Sequence, residues 1–284
     1  MKITVENKIF GEERALYNLK DALVRNCRFE GIEDGESALK ESHNVEVKDC
    51  RFALRYPFWH MTDFSISDCS LAETARAGMW YAENGKVNDT TVNGVKFLRE
   101  CKNVSFGNFT AVSPEFGWRC ENININDSEI TSEYFLFETK GGSICNFTLN
   151  GKYSFQYTEN INVENSVLNT KDAFWHSKNV TVKNTTLKGE YLAWYSEGLT
   201  LINCKIIGTQ PLCYCKGLTL VNCTMEDTDL SFEYSEVNAD VKGNIVSVKN
   251  PKSGVITADS IGEIILENSV VETNCVINTR EQHK

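Results

Sequence analysis

The chain has 284 residues, a formal charge of −10 and 11 cysteines. Such a charge repels a phosphate backbone or an anionic membrane over a Debye length, so neither nucleic acid nor a membrane is expected as a partner. No apolar run reaches the roughly 18 residues of a spanning helix, and the opening MKITVENKIFGEE is charged where a secretory leader would be apolar, which predicts a cytoplasmic protein.

In chain order, residues 1–17 are expected to cap one end of a single domain spanning 1–284. Residues 18–235 read as regular coils, and 236–284 as irregular coils with the second cap. The signal for coils is a repeat. Asp89, Asn108, Asp127, Asn146, Asn165, Asn184, Asn203 and Asn222 follow one another at a constant spacing of 19, and Asn26, Asp49, Asp68 and Asn268 extend the series at uneven gaps that read as loops. A fixed period of this length is the mark of a solenoid.

Before each anchor the apolar residues alternate, as in NVEVKDCRF (Asn44 to Phe52), NVTVKNTTL (Asn179 to Leu187) and GLTLINCKI (Gly198 to Ile206). Period two means strands with one face buried. Past the anchor the inward phase shifts by one residue, which fits a sharp bend, and Asn and Asp tolerate the left-handed backbone such a bend uses. One such strand pair per coil, without helical patterns between, predicts an all-β, single-stranded, right-handed parallel β-helix of about a dozen coils. Val45, Phe64, Val104, Ile123, Ile161, Val180, Leu199 and Leu218 form one expected inner column. Cys50, Cys69, Thr90, Ser128, Ser166, Thr185, Cys204 and Cys223 form another, which makes the cysteines small, reduced core residues rather than a disulfide framework.

On the remaining side, ten residues past the anchor (twelve in the Asp68 coil), lie Trp59, Trp80, Arg99, Trp118, Phe137, Gln156, Trp175, Trp194, Cys213 and Phe232; all five tryptophans of the chain fall in this column. The preceding column is largely apolar, and the following one includes His60, Tyr81, His176 and Tyr195. With the apolar column inward, the tryptophans are predicted to face out. A row of flat rings flanked by His, Tyr, Glu and Arg suits an oligosaccharide, whose apolar ring faces stack while its hydroxyls bond to neighbours. The ligand-binding expectation therefore rests on Trp59, Trp80, Trp118, Trp175, Trp194, His60, His176 and Tyr195. The bland alternative is that large aromatics in a repeat simply pack.

Catalytic candidates are few. Glu73 and Arg76, in the loop LAETARAGMWY, are placed to pair with Arg55 one coil earlier, and Asp172 and Glu190 form a carboxylate pair at coil spacing, the arrangement general acid/base or glycosidic chemistry uses. His60 and His176 lie several coils apart, His43 and His283 read as surface residues, and no Cys/His spacing resembles a zinc site, so neither a metal nor a cofactor is expected.

The NVxVxNCxF repeats resemble the pectin-lyase-like superfamily of right-handed β-helices. End to end, the chain resembles a bacterial family of this length classed only as a domain of unknown function. GEERALY (Gly11 to Tyr17), DGESALKES (Asp34 to Ser42), ETARAGMWY (Glu73 to Tyr81), KDAFW (Lys171 to Trp175), GEYLAW (Gly189 to Trp194), FEYS (Phe232 to Ser235) and SVKNPKSG (Ser247 to Gly254) carry the closer likeness. The wider superfamily implies polysaccharide lyase or glycoside hydrolase chemistry, but its calcium-binding Asp clusters and paired-Asp hydrolase motifs are missing from this chain. Two readings stand: a carbohydrate-binding or carbohydrate-processing protein using its aromatic face, or a non-enzymatic scaffold whose aromatic stripe binds protein or a second copy of itself.

Overall fold

A computed structural model describes residues 2–31 and 35–280, so Asp34 and His283 of the sequence reading lie outside the described residues. The chain divides into two compact units, Met1–Ser143 and Ile144–Lys284. Each is built from short strands with no helix among the described residues.

In the first unit, successive coils begin at Ile3–Glu6, Lys20–Arg25, His43–Lys48, Thr62–Ser67, Glu83–Asn88 and Lys102–Gly107. Each strand pairs in parallel with the next, with Cα partners such as Ile3 and Ala22, His43 and Thr62, and Gly85 and Val104. A parallel β-helix is thus what the 19-residue spacing produces, and the stretch expected as a cap contributes a coil of its own. The longer steps, Ala22 to Val45 and Phe64 to Gly85, are the uneven gaps of the anchor series.

The bends explain the spacing of the anchors. Asn26, Asp49, Asp68, Asp89, Asn108 and Asp127 all take φ between 47° and 54°, in the left-handed region where Asn and Asp are enriched. Their side chains join coil to coil, Asn26 Nδ2 donating to Asn7 Oδ1 at 2.6 Å and Asn108 Nδ2 to Asp89 Oδ1 at 2.6 Å. A second ladder, absent from the sequence reading, runs at the strand starts: Asn44 donates to Asp21, Asn84 to Asp63, Asn103 to Asn84 and Asn122 to Asn103.

Val45, Phe64, Val104 and Ile123 are buried as expected. At Gly85 the column narrows to accept the Phe64 ring, since a Cβ there would stand 2.0 Å from Phe64 Cζ. The core is aromatic besides: Phe29 and Phe52 stack at 4.6 Å and 5°.

The second unit repeats this plan. Thr181–Lys183, Thr200–Ile202 and Leu218–Glu226 pair in parallel at the same step, for example Thr181 with Thr200 and Thr200 with Thr219. Asn184, Asn203 and Asn222 continue the anchor ladder at 3.2, 3.0 and 2.7 Å. From Glu236 the step shortens: Glu236 pairs with Ser253 and Asn244 with Ser260, while Val255 pairs with Val276, so the predicted irregular coils are coils still. All 11 cysteines of the chain are free thiols.

Candidate functional site

The column three residues before the tryptophans sets the surface of the third side, and the sequence reading did not single it out. In the first unit it carries Tyr56, Ala77 and Lys96, each in the left-handed conformation with φ of 56°, 52° and 60°. The backbone here follows the neighbouring coil, Tyr56 N bonding to Arg76 O and Ala77 N to Val95 O at 3.3 and 2.8 Å. Ala77 is the small member of the row. Beside it opens a cleft of about 230 Å³ lined by Tyr56, Trp59, Arg76, Ala77, Trp80, Val95 and Lys96.

The tryptophans do not present open faces. Trp59 and Trp80 stack on each other at 4.9 Å and 8°, the Arg99 guanidinium covers the other face of Trp80 at 4.7 Å, and Tyr56 tilts against Trp59 at 4.8 Å. Trp118 lies between Arg99 at 5.0 Å and Phe137 at 5.2 Å. All are half-buried. The indole N–H groups of Trp59 and Trp80 point to the next coil, Trp59 Nε1 donating to Ala77 O at 2.7 Å and Trp80 Nε1 to Lys96 O at 2.8 Å, whereas that of Trp118 is buried with no partner among the described residues. What the column offers a ligand is therefore ring edges along the coils, plus the cleft where Ala77 leaves room; an uninterrupted stacking platform is not formed.

In the second unit Trp175 and Trp194 stack at 5.4 Å and 2°, with their N–H groups on Tyr191 O and Gln210 O. The more exposed row is the next one, where Tyr157, His176, Tyr195 and Tyr214 stack successively at 4.9, 5.0 and 4.7 Å. His60, in the first unit, stacks likewise on Tyr81 at 4.8 Å.

Among the catalytic candidates, Arg76 borders the cleft while Glu73 is exposed and does not line it. The expected partnership with Arg55 gives way to a pair between Arg55 and Glu36 at 3.3 Å, because the neighbouring coil already offers that carboxylate. Glu190 is exposed and its carboxylate lies 3.6 Å from Lys171 Nζ. Asp172, one residue on from Lys171, is buried. Burial pushes its carboxyl pKa up, Lys171 opposes that, and Glu190 adds to it. Its immediate neighbours Tyr153 and Tyr191 occupy the same row as Ala77 does in the first unit.

The electrostatics of the cleft are lopsided. Lys96 Nζ lies 3.6 Å from Glu115 Oε1 and Arg99 Nη2 lies 3.3 Å from Glu115 Oε2, so one carboxylate serves two cations. Arg76 has no ion pair among the described residues.

The chain belongs to the family described as "Protein of unknown function (DUF3737)", whose profile matches residues 3–278. No curated protein matches it. Similar solved structures include the A-module of the mannuronan C-5 epimerase AlgE6 of Azotobacter vinelandii, 12% identical at a TM-score of 0.45, with 100% of this chain and 92% of that one covered. Others are PfbA, a surface adhesin of Streptococcus pneumoniae (9%, TM-score 0.40, covering 86% and 81%), and the catalytic domain of a GH87 alpha-1,3-glucanase in complex with nigerose (9%, TM-score 0.28, covering 99% and 64%).

Proposed function

We propose that this member of the family binds a saccharide in the cleft beside Ala77. The observation that carries the reading is the cleft itself: Tyr56, Trp59 and Trp80 supply aromatic walls, and Arg76 and Lys96 supply polar groups at one place. Apolar walls with a few convergent polar groups are the usual composition of a small-molecule site. At about 230 Å³ the cleft lies below the range of sites for drug-sized ligands, which favours one sugar ring or the end of a short oligosaccharide.

Filling the cleft tests this. Ala77→Tyr installs a side chain that the same row accepts in the same backbone conformation at Tyr56 and Tyr191, with φ of 56° and 55°. A glycan array on the wild type, followed by titration of each hit against both proteins by intrinsic fluorescence, should show binding that the substitution abolishes with little change in melting temperature. Hits that bind the filled variant as tightly as the wild type would remove the cleft from consideration.

The scaffold reading keeps one observation in its favour, the stacked row of the second unit in which Tyr157, His176 and Tyr195 are exposed and Tyr214 is half-buried. Sedimentation of the wild type and of Tyr195→Ser over a range of concentrations separates the two readings, because only self-association through this row makes the sedimentation coefficient depend on Tyr195. The free thiols support a role in a reducing compartment such as the cytoplasm.

A further inference from the structure

Resting on the saccharide reading, we infer that the ligand of the cleft beside Ala77 is anionic, a single sugar ring bearing a carboxylate or a phosphate that Arg76 and Lys96 hold at its mouth. Charge counting leads there first. Lys96 and Arg99 share Glu115, and Arg76, which lines the cleft, has no ion pair, so the three cations and one carboxylate leave a surplus of two positive charges among the described residues. The chain as a whole carries −10, so this surplus runs against the trend of its surface.

Among the described residues, no carboxylate forms an ion pair with Arg76. Glu36 is engaged by Arg55 at 3.3 Å, Lys40 adds a further cation 5.7 Å from the Trp59 ring, and Glu73, three residues before Arg76, is not a lining residue. A guanidinium without a counter-ion is a ready two-pronged donor to carboxylate or phosphate oxygens, and beside aromatic walls such a bond is less screened than in open water.

Geometry then limits the size. The space exists because Ala77 stands in the row between Tyr56 and Lys96, so it is one residue wide along the coils. A ligand ring seated against Tyr56 and the tryptophan edges brings a ring substituent to Arg76 on one side and Lys96 on the other. Arg99 takes no direct part; it lies on Trp80 and shares Glu115 with Lys96, which loosens the hold of that carboxylate on Lys96.

The test is calorimetric titration of the full chain at low salt with glucose, glucuronate, glucose 6-phosphate and inorganic phosphate, repeated on Arg76→Gln, Lys96→Gln and Ala77→Tyr. At least one charged sugar should bind about tenfold or more tightly than glucose, as expected for one charge-assisted hydrogen bond. The preference should shrink in Arg76→Gln and Lys96→Gln, fall with added salt, and vanish in Ala77→Tyr. The arms with glucuronate and glucose 6-phosphate say which anion is preferred.

Equal affinity for glucose and both charged sugars overturns the anionic inference and leaves the saccharide reading standing. Inorganic phosphate binding as tightly as glucose 6-phosphate, unaffected by Ala77→Tyr, overturns the ring-sized cleft as its basis. Binding of none of the four probes, together with an empty glycan array, removes the saccharide reading itself. Arg76 is exposed, so melting temperatures of its variant should match the wild type, and a lost preference at an unchanged melting temperature reports the ligand rather than the fold.

Discussion

Gln156 donates from Nε2 to the carbonyl oxygen of Asp172 at 2.9 Å, an amide performing the bond that indoles perform in the same column. Trp175 Nε1 reaches Tyr191 O at 2.6 Å and Trp194 Nε1 reaches Gln210 O at 2.8 Å, each 16 residues ahead. These side chains therefore fasten one coil to the next. Trp175→Ala should cost about 2–4 kcal/mol, the low side of the range for a fully buried tryptophan because Trp175 is half-buried. Trp175→Phe should cost about 1 kcal/mol for the lost donor, and Trp175→Gln should be milder than the alanine variant because it keeps a donor. Urea midpoints of the three variants decide it; equal midpoints for Gln and Ala would show that stacking alone matters.

Trp118 differs from its relatives. Its Nε1 is buried with no hydrogen-bond partner among the described residues, so the desolvation of that group is uncompensated. Trp118→Phe should leave stability within about 0.5 kcal/mol of wild type or raise it, whereas Trp175→Phe lowers it. Chemical denaturation of the two phenylalanine variants side by side checks the contrast.

Asp172 gives a pH signature. Its carboxyl pKa is raised in the folded chain, from the usual value of 3.8, by burial first. Between 3.8 and the raised value the native state therefore holds more protons than the unfolded one, and this group's contribution falls as pH rises through that window. Above it the buried carboxylate is a standing cost. Asp172→Asn should raise the urea midpoint at neutral pH and have little effect below pH 3.8, with the gain appearing as pH rises through the window. A loss of stability at neutral pH would mean that donors in solution stabilise the carboxylate.

The thiols should react in two classes. Cys145 and Cys275 are partly accessible, and the other nine are buried. Burial also raises the Cys215 thiol to about 11 and the Cys213 thiol further, which keeps both protonated at ordinary pH. Titration with Ellman's reagent at mildly alkaline pH should modify two thiols in the native chain and all 11 after denaturation. Fewer than 11 in anaerobically prepared protein would contradict a reducing compartment.

Gly254 marks where the shortened coils crowd. Its φ is 101°, and a Cβ there would meet Val237 O at 2.0 Å, a backbone atom that cannot swing aside. Gly254→Ala should cost about 3 kcal/mol or more, from backbone strain and overpacking together. A thermal midpoint equal to wild type would show that the coil relaxes.

By itself the sequence determined the coil. Asn165, Asn184, Asn203 and Asn222 recur because each coil must bend at the same place, and alternation beside them assigns the inner columns because Cβ direction along a strand is a local property. The second asparagine ladder was legible in the same way, at Asn84, Asn103 and Asn122, and so was the row of Tyr56, Ala77 and Lys96, whose one small residue is the signal for a cleft. Side-chain direction off the strands was decided only by tertiary structure. Whether Trp59 and Trp80 offer faces or edges depends on ring torsions set by the coil above, by the carbonyls of Ala77 and Lys96, and by Arg99, none of which is adjacent in the chain. Period fixes which residues share a column; contact between columns fixes what they present to a ligand.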